Sequence, residues 1–183
     1  EVKNSGTVRY HNLKTVINSQ KEIVTVSRSG ELGVLDDSGR EKERYKIPYG
    51  AIIKLEDAKS VDRGQNIVTW DPHTTPIITE TAGIIEFEDF EDGITVENIV
   101  DELTGITSIK VKDASSVSFD KNRKPMIKLV DSKGKDLLIT NSKLPAHFLL
   151  PANSTVNVSS GTKVGVGDVI ARTPRETSGT RDI

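Results

Sequence analysis

The sequence predicts an all-β protein divided into two tandem modules. Three observations carry that expectation: short β-branched segments, turn chemistry between them, and a repeat that runs through the chain. The apolar stretches Ile23 to Val26, Ala51 to Leu55, Ile67 to Trp70, Ile109 to Val111, Met126 to Val130, Leu137 to Ile139 and Thr155 to Val158 are strand-sized. Asp36-Asp37-Ser38-Gly39, Asp62-Arg63-Gly64, Glu91-Asp92-Gly93 and Ser132-Lys133-Gly134 place φ-permissive residues between them, as hairpins require. One segment fits two readings. Val96, Ile99, Val100 and Leu103 share a 3.6-residue face, but a strand followed by a turn at Thr104-Gly105 accommodates the same residues.

The repeat is the most informative feature. Gly6-Thr7-Val8-Arg9-Tyr10-His11-Asn12 reappears as Gly83-Ile84-Ile85-Glu86-Phe87-Glu88-Asp89. Leu35-Asp36-Asp37-Ser38-Gly39-Arg40 matches Val130-Asp131-Ser132-Lys133-Gly134-Lys135, and Ile47-Pro48-Tyr49-Gly50 loosely matches Leu144-Pro145-Ala146-His147. Each half closes alike, Val61 to Asp71-Pro72 paralleling Val164 to Thr173-Pro174. The offset grows from 77 (Gly6 to Gly83) through 95 (Leu35 to Val130) to 102 (Pro72 to Pro174), as loop insertions in a duplicated fold would make it. The boundary is expected near Thr81-Ala82-Gly83, giving modules 1–82 and 83–183.

Composition narrows the function classes. At 34% hydrophobic and 4% aromatic residues, 183 residues suit two thin cores better than one thick one. No apolar run approaches the roughly 20 residues that span a bilayer, so a soluble, cytoplasmic chain without a membrane partner is expected. The only Met is Met126, and the start lacks a signal-peptide profile, so a processed start or an excised piece is expected. Cysteine is absent, which excludes disulfides and thiolate metal sites. A formal charge of -2 with interspersed signs lacks the basic footprint of a nucleic-acid binder, so no direct specific nucleic-acid contact is expected.

The closing hairpins resemble those of barrel-sandwich proteins such as lipoyl and biotinyl domains, which carry a cofactor on a lysine. The candidates Lys59 and Lys163 lack the expected hairpin-tip context, and solvated loop lysines explain them better. His11, His73 and His147 are too dispersed to suggest a metal site, and loop histidines are expected. The run Glu86, Glu88, Asp89, Glu91, Asp92 ahead of Gly93 invites a calcium reading. Its register fails, since Phe90 takes a ligand position and Ile99 stands where the bidentate Glu belongs; an exposed acidic strand edge is expected instead. Gly165-Val166-Gly167 lacks a third glycine and a following helix, so it makes no dinucleotide fingerprint. Asn153-Ser154-Thr155 and Asn157-Val158-Ser159 fit the glycosylation pattern by chance. No catalytic, cofactor-binding or metal residue is nominated.

Four blocks carry a family resemblance: Tyr45 to Ala51 (YKIPYGA), Trp70 to Glu80 (WDPHTTPIITE), Asp101 to Gly105 (DELTG) and Thr173 to Ile183 (TPRETSGTRDI). In this order they resemble the lineage-specific insertion, often called sequence insertion 3, of bacterial RNA polymerase beta-prime subunits. The similarity runs nearly end to end, with 111–124 more divergent. It implies two sandwich-barrel hybrid motifs inserted in the trigger loop, the mobile element that folds over the incoming nucleotide. It further implies a non-catalytic segment that modulates nucleotide addition, pausing and transcript cleavage, against partners such as the polymerase jaw and the rim of the secondary channel. Magnesium and zinc are implied only elsewhere in the parent subunit. The alternatives are a lipoyl- or biotinyl-like carrier and a scaffold module.

Overall fold

Strand-forming residues punctuated by tight turns fold into four antiparallel sheets, shared between two units. The structure, a computed structural model, describes residues 1–113, 122–139 and 142–175. Part of the divergent 111–124 loop (114–121) and most of the last resemblance block (176–183) therefore lie outside the described residues.

The first unit is Glu1–Asp71. Its strands are β1 (Gly6–His11), β2 (Thr15–Ile17), β3 (Ile23–Thr25), β4 (Glu31–Leu35), β5 (Glu41–Lys46), β6 (Ile52–Ile53), β7 (Ser60–Val61) and β8 (Val68–Thr69). They form two sheets, ordered β5-β4-β1-β7 and β2-β3-β6-β8. Val8, Leu32, Val34, Ile47, Ile53, Val61 and Ile67 make the core between them. Alternation is clear on β5, where Glu43 and Tyr45 are half-buried and Lys42, Arg44 and Lys46 exposed, whereas β4 buries Leu32, Gly33 and Val34 in succession.

The second unit is Pro72–Ile183. It holds β9 (Thr74–Ile78), β10 (Gly83–Glu88), β11 (Val96–Val100), β12 (Thr107–Val111), β13 (Met126–Val130), β14 (His147–Leu149), β15 (Thr155–Val156), β16 (Lys163–Val164) and β17 (Val169–Pro174). The sheets are β14-β13-β10-β16 and β11-β12-β15-β17-β9, around Ile85, Val111, Ile127, Leu129, Val156 and Ile170. No strand of the described residues closes a barrel on itself; the units are sandwich-like.

The strand orders repeat: β5-β4-β1-β7 matches β14-β13-β10-β16, and β2-β3-β6-β8 matches β11-β12-β15-β17. Hydrogen bonds repeat with them. The Val8 amide donates to Lys59 O and the Ile85 amide to Thr162 O, both at 2.9 Å. The Gly64 amide donates to Val2 O and the Gly167 amide to Thr79 O, both at 2.8 Å. Gly64 and Gly167 have φ of 82° and 84°, which only glycine adopts without strain.

One open reading is decided and two sequence expectations change. Residues 95–103 form β11 and its turn, not a helix. The partner of Ile47-Pro48 is Leu150-Pro151 and not Leu144-Pro145. The Ile47 amide donates to Gly30 O and the Leu150 amide to Pro125 O, while Ala51 and Ser154 amides donate to Pro48 O and Pro151 O, each at 3.2 Å. Leu144-Pro145 belongs to an added excursion in which Leu138 bridges Pro145. The segment 72–82, assigned by sequence to the first module, contributes β9, which runs antiparallel to β17 in the second unit. Trp70-Asp71 ends one unit, and the next strand already belongs to the other.

Candidate functional surfaces

The polar residues singled out by sequence do not assemble into one site. His11 Nε2 lies 2.7 Å from Glu41 Oε2 in the first unit, and His147 Nε2 lies 3.1 Å from Asp136 Oδ2 in the second. His73 accepts the Arg175 amide at its carbonyl, 2.9 Å away. Among the described residues, no three His, Asp or Glu side chains stand together as a metal would require. Gly33 makes room for the first of these pairs. A Cβ there would sit 2.5 Å from Glu41 Oε2 and 3.1 Å from His11 Nε2.

Lys59 follows a turn in which Ala58 has φ of 62°, and it leads into β7; its side chain is exposed and 4.0 Å from Glu56. Lys163 lies within β16, opposite Ile84. Since β6 and β7 belong to different sheets, Lys59 is not at a hairpin tip. Nor are the two lysines equivalent, because Thr162 is the counterpart of Lys59.

The acidic run is not an exposed edge. Its strand β10 lies inside a sheet, opposite β13 with Glu86 across from Lys128. Glu88 forms an ion pair with Lys128, and the Glu88 carboxylate holds the Lys128 ammonium above the ordinary lysine range. Arg123 pairs with Glu91. Thr95, fully buried, ties down the following turn: its hydroxyl donates to Asp89 O at 2.6 Å and accepts from the Glu91 amide at 2.8 Å. Asp168 Oδ2 accepts the Gly165 amide at 2.7 Å, so Gly165-Val166-Gly167 is a tight turn that joins β16 to β17, strands of different sheets. Asn153 occupies a left-handed turn position, φ 65°, and Asn157 is exposed.

Apolar side chains also reach the surface. The β11–β12 hairpin runs from Glu97 to its partner Lys110, five residues longer than its counterpart from Val16 to Val24 (13 against 8 steps). The longer hairpin exposes Ile99 and Val100 at the end of β11 and Leu103 and Ile106 in its loop, Leu103 being 97% exposed. The sequence showed the apolar spacing but left helix and strand open, and spacing alone does not say whether an apolar face is covered. Asp101 fixes the tip: its Oδ1 accepts the Leu103 and Thr104 amides at 2.8 and 3.3 Å. Those bonds, Leu103's first, hold its carboxyl below the usual carboxylate range. With Glu97 and Glu102 this gives an apolar knob set among carboxylates. An isolated exposed leucine is ordinary, but four exposed apolar side chains on one hairpin make it a candidate contact surface.

Comparison with known proteins supplies the context for such a surface. No family model matches the chain. The beta-prime subunit of DNA-directed RNA polymerase from Pseudomonas aeruginosa (strain PAO1) is 52% identical over 184 aligned residues, covering 100% of this chain and 13% of that subunit. The same subunit from Stutzerimonas stutzeri is 51% identical and from Pseudomonas entomophila 50%, with the same coverage of both chains. End to end, the chain is homologous to a segment of the RNA polymerase beta-prime subunit. This is the family that the four sequence blocks resemble. The chain spans 13% of the length of these beta-prime relatives. Among the described residues, no helix is long and apolar enough to cross a membrane.

Proposed function

We propose that this chain is a non-catalytic regulatory insertion in the trigger loop of a bacterial RNA polymerase beta-prime subunit. It works through contacts with neighbouring polymerase parts such as the jaw and the secondary-channel rim. The observation that carries the reading is its end-to-end similarity to a short stretch of beta-prime subunits, in a chain with two hydrophobic cores of its own. A stretch with its own cores can be spliced into a loop without drawing on the surrounding fold for stability.

The mechanism follows from tethering. A folded body carried on a loop moves when the loop folds, so any surface that docks it better in one state tilts the loop equilibrium by the difference in docking free energy. A difference of about 1.4 kcal/mol changes the ratio of states tenfold. Burying a single leucine side chain contributes roughly that much or more, and the β11–β12 tip offers four apolar side chains. Nucleotide addition, pausing and transcript cleavage all depend on how often the loop is folded, so each would respond. The test is to excise residues 1–183 from the subunit, rejoin the flanks, and measure single-nucleotide addition, pause lifetime and cleavage. Altered kinetics in at least one step is expected, and unchanged kinetics in all three would overturn the reading.

A further inference from the structure

The two units differ at one sheet edge. In the second unit, β17 is flanked by β15 on one side and β9 on the other; in the first, its counterpart β8 has β6 on one side and, among the described residues, ends the sheet on the other. The counterparts are fixed by register, because Ile52 opposes Thr69 as Thr155 opposes Arg172, and Ile53 opposes Val68 as Val156 opposes Ala171.

Beside the open edge lies a hollow of about 250 Å³, lined by Val2, Leu32, Ile47, Ile67, Val68 and Trp70 among others. Trp70, the only tryptophan, is 51% exposed there. The same place in the second unit is filled by β9, whose Pro76 and Ile78 are buried and whose Ile77 packs on the core.

The duplication says which polypeptide belongs in the hollow. Thr79, next after β9, donates its amide to Asp168 O at 3.1 Å and accepts from Gly167 at 2.8 Å. Val2 does the same with Gln65 O at 3.1 Å and Gly64 at 2.8 Å. Val2 is therefore the counterpart of Thr79 and Glu1 that of Ile78, so Thr74 to Ile77 correspond to the four residues that would directly precede Glu1. The relatives are far longer than this chain and provide for such residues.

We infer that the open β8 edge and its adjoining hollow are a strand-acceptor site for the segment immediately upstream of Glu1 in the full-length subunit. That segment adds antiparallel as a fifth strand and covers Trp70. Its backbone satisfies the unpaired edge and its apolar side chains fill the hollow, the mode by which an extended segment augments a sheet. The first unit is then gripped where the chain enters it, which shortens the free tether and passes a pull on the incoming chain directly to the sheet. This holds whether or not the contacts outside the unit regulate the polymerase.

Register makes the site testable. Arg172 opposes Pro76 and Thr173 opposes Thr75, so Thr69 should oppose the second residue upstream of Glu1 and Trp70 the third. Cysteine pairs are placed at these two opposed positions in full-length subunit assembled into polymerase, and in a shifted pair joining Thr69 to the third upstream residue. Of two adjacent opposed pairs, one lies at the narrow site suited to a disulfide, whereas a one-residue shift puts the side chains on opposite faces. Under mild oxidation, one opposed pair should form a disulfide about tenfold faster than the shifted pair. No disulfide in either opposed pair, or a faster one in the shifted pair, overturns the inference. Because the shifted variant takes each of its cysteines from one of the two opposed pairs and assembly is scored first, loss of folding is distinguishable from loss of register.

Discussion

Asp36 and Asp131 hold the same turn in the two units. Asp36 Oδ1 accepts the Ser38 and Arg40 amides, each at 2.9 Å, and Asp131 Oδ1 accepts the Lys133 and Lys135 amides at 2.8 and 3.0 Å. Glycine follows at φ of 78° and 79°, at Gly39 and Gly134. An aspartate that bonds the amides two and four residues on, followed by a residue free to turn left-handed, closes such a loop by local chemistry alone.

These two carboxylates give the chain an acid-sensitive component of stability. The Ser38 hydroxyl and then the Arg40 amide hold Asp36 well below the usual carboxylate range, and the Lys135 and Lys133 amides lower Asp131. With the folded value depressed, the contribution is present above the ordinary carboxylate range and is lost as pH falls through the folded values. Thermal melts followed by circular dichroism should show Tm falling below about pH 4. The double variant Asp36→Asn with Asp131→Asn should melt lower at neutral pH and show a flatter acid limb. An unchanged acid limb in the double variant would contradict this account.

At the alkaline end, Tyr10 and Tyr45 behave in the opposite sense. Burial, then the Asp57 and Glu56 charges, push the Tyr10 phenol up to about 12, while the hydrogen bond to Glu43 does the same for Tyr45. The Tyr10 hydroxyl donates to Leu55 O. Raised folded values mean this stability is complete below the ordinary phenol range and is lost as pH rises toward 12. In an ultraviolet titration, Tyr10→Phe and Tyr45→Phe should each remove one late-ionising phenol. Tyr10→Phe should also cost about 1 kcal/mol at neutral pH for the bond to Leu55. Loss of an early-ionising phenol in either variant would show the assignment to be wrong.

The glycine that opens the repeat has a packing reason. A Cβ on Gly6 would stand 2.1 Å from the Leu35 carbonyl oxygen, where β1 runs against β4. At Gly83 the nearest obstacle is Leu137 Cδ1 at 2.6 Å, the far end of a side chain that can turn aside. Gly6→Ala should therefore destabilise by about 1–3 kcal/mol, with Gly83→Ala costing less. Denaturant melts of the two variants decide it, and equal losses would refute the distinction.

Local chemistry explains how much could be read in advance. β-branched runs, the Asp36 and Asp131 turns and the matching of β1 with β10 were legible, because each depends on residues adjacent in sequence. Leu144-Pro145 misled because it spells the same dipeptide as Leu150-Pro151, each followed by alanine. Only long-range bonds, such as Leu150 to Pro125, tell them apart. The allegiance of β9 was equally hidden, since nothing in Thr74 to Ile78 specifies that its partner is β17, nearly a hundred residues later. At the β11–β12 tip the apolar spacing was seen, but periodicity cannot say whether an apolar face is covered; Val96 is buried and Leu103 is not.

That tip supplies the sharpest separation of fold from function. Leu103 is 97% and Ile106 64% exposed, so replacing both removes almost no burial from the unit that carries them. The double variant Leu103→Asp with Ile106→Asp should keep stability within about 0.5 kcal/mol per site, as surface changes do. If the tip is a docking point in the polymerase, the same variant desolvates carboxylates against its partner and loses about 1.5–3 kcal/mol for each buried apolar side chain. In single-turnover addition and pause assays on assembled polymerase, that predicts a change of tenfold or more in the occupancy of the docked state. The control is Ile17→Asp, also exposed at 63% but on the shorter hairpin of the first unit, which should leave the kinetics as they were. Unaltered kinetics in the Leu103/Ile106 variant would remove the hairpin from the regulatory surface, while an equal effect from Ile17 would mean that surface charge, and not this contact, is being measured.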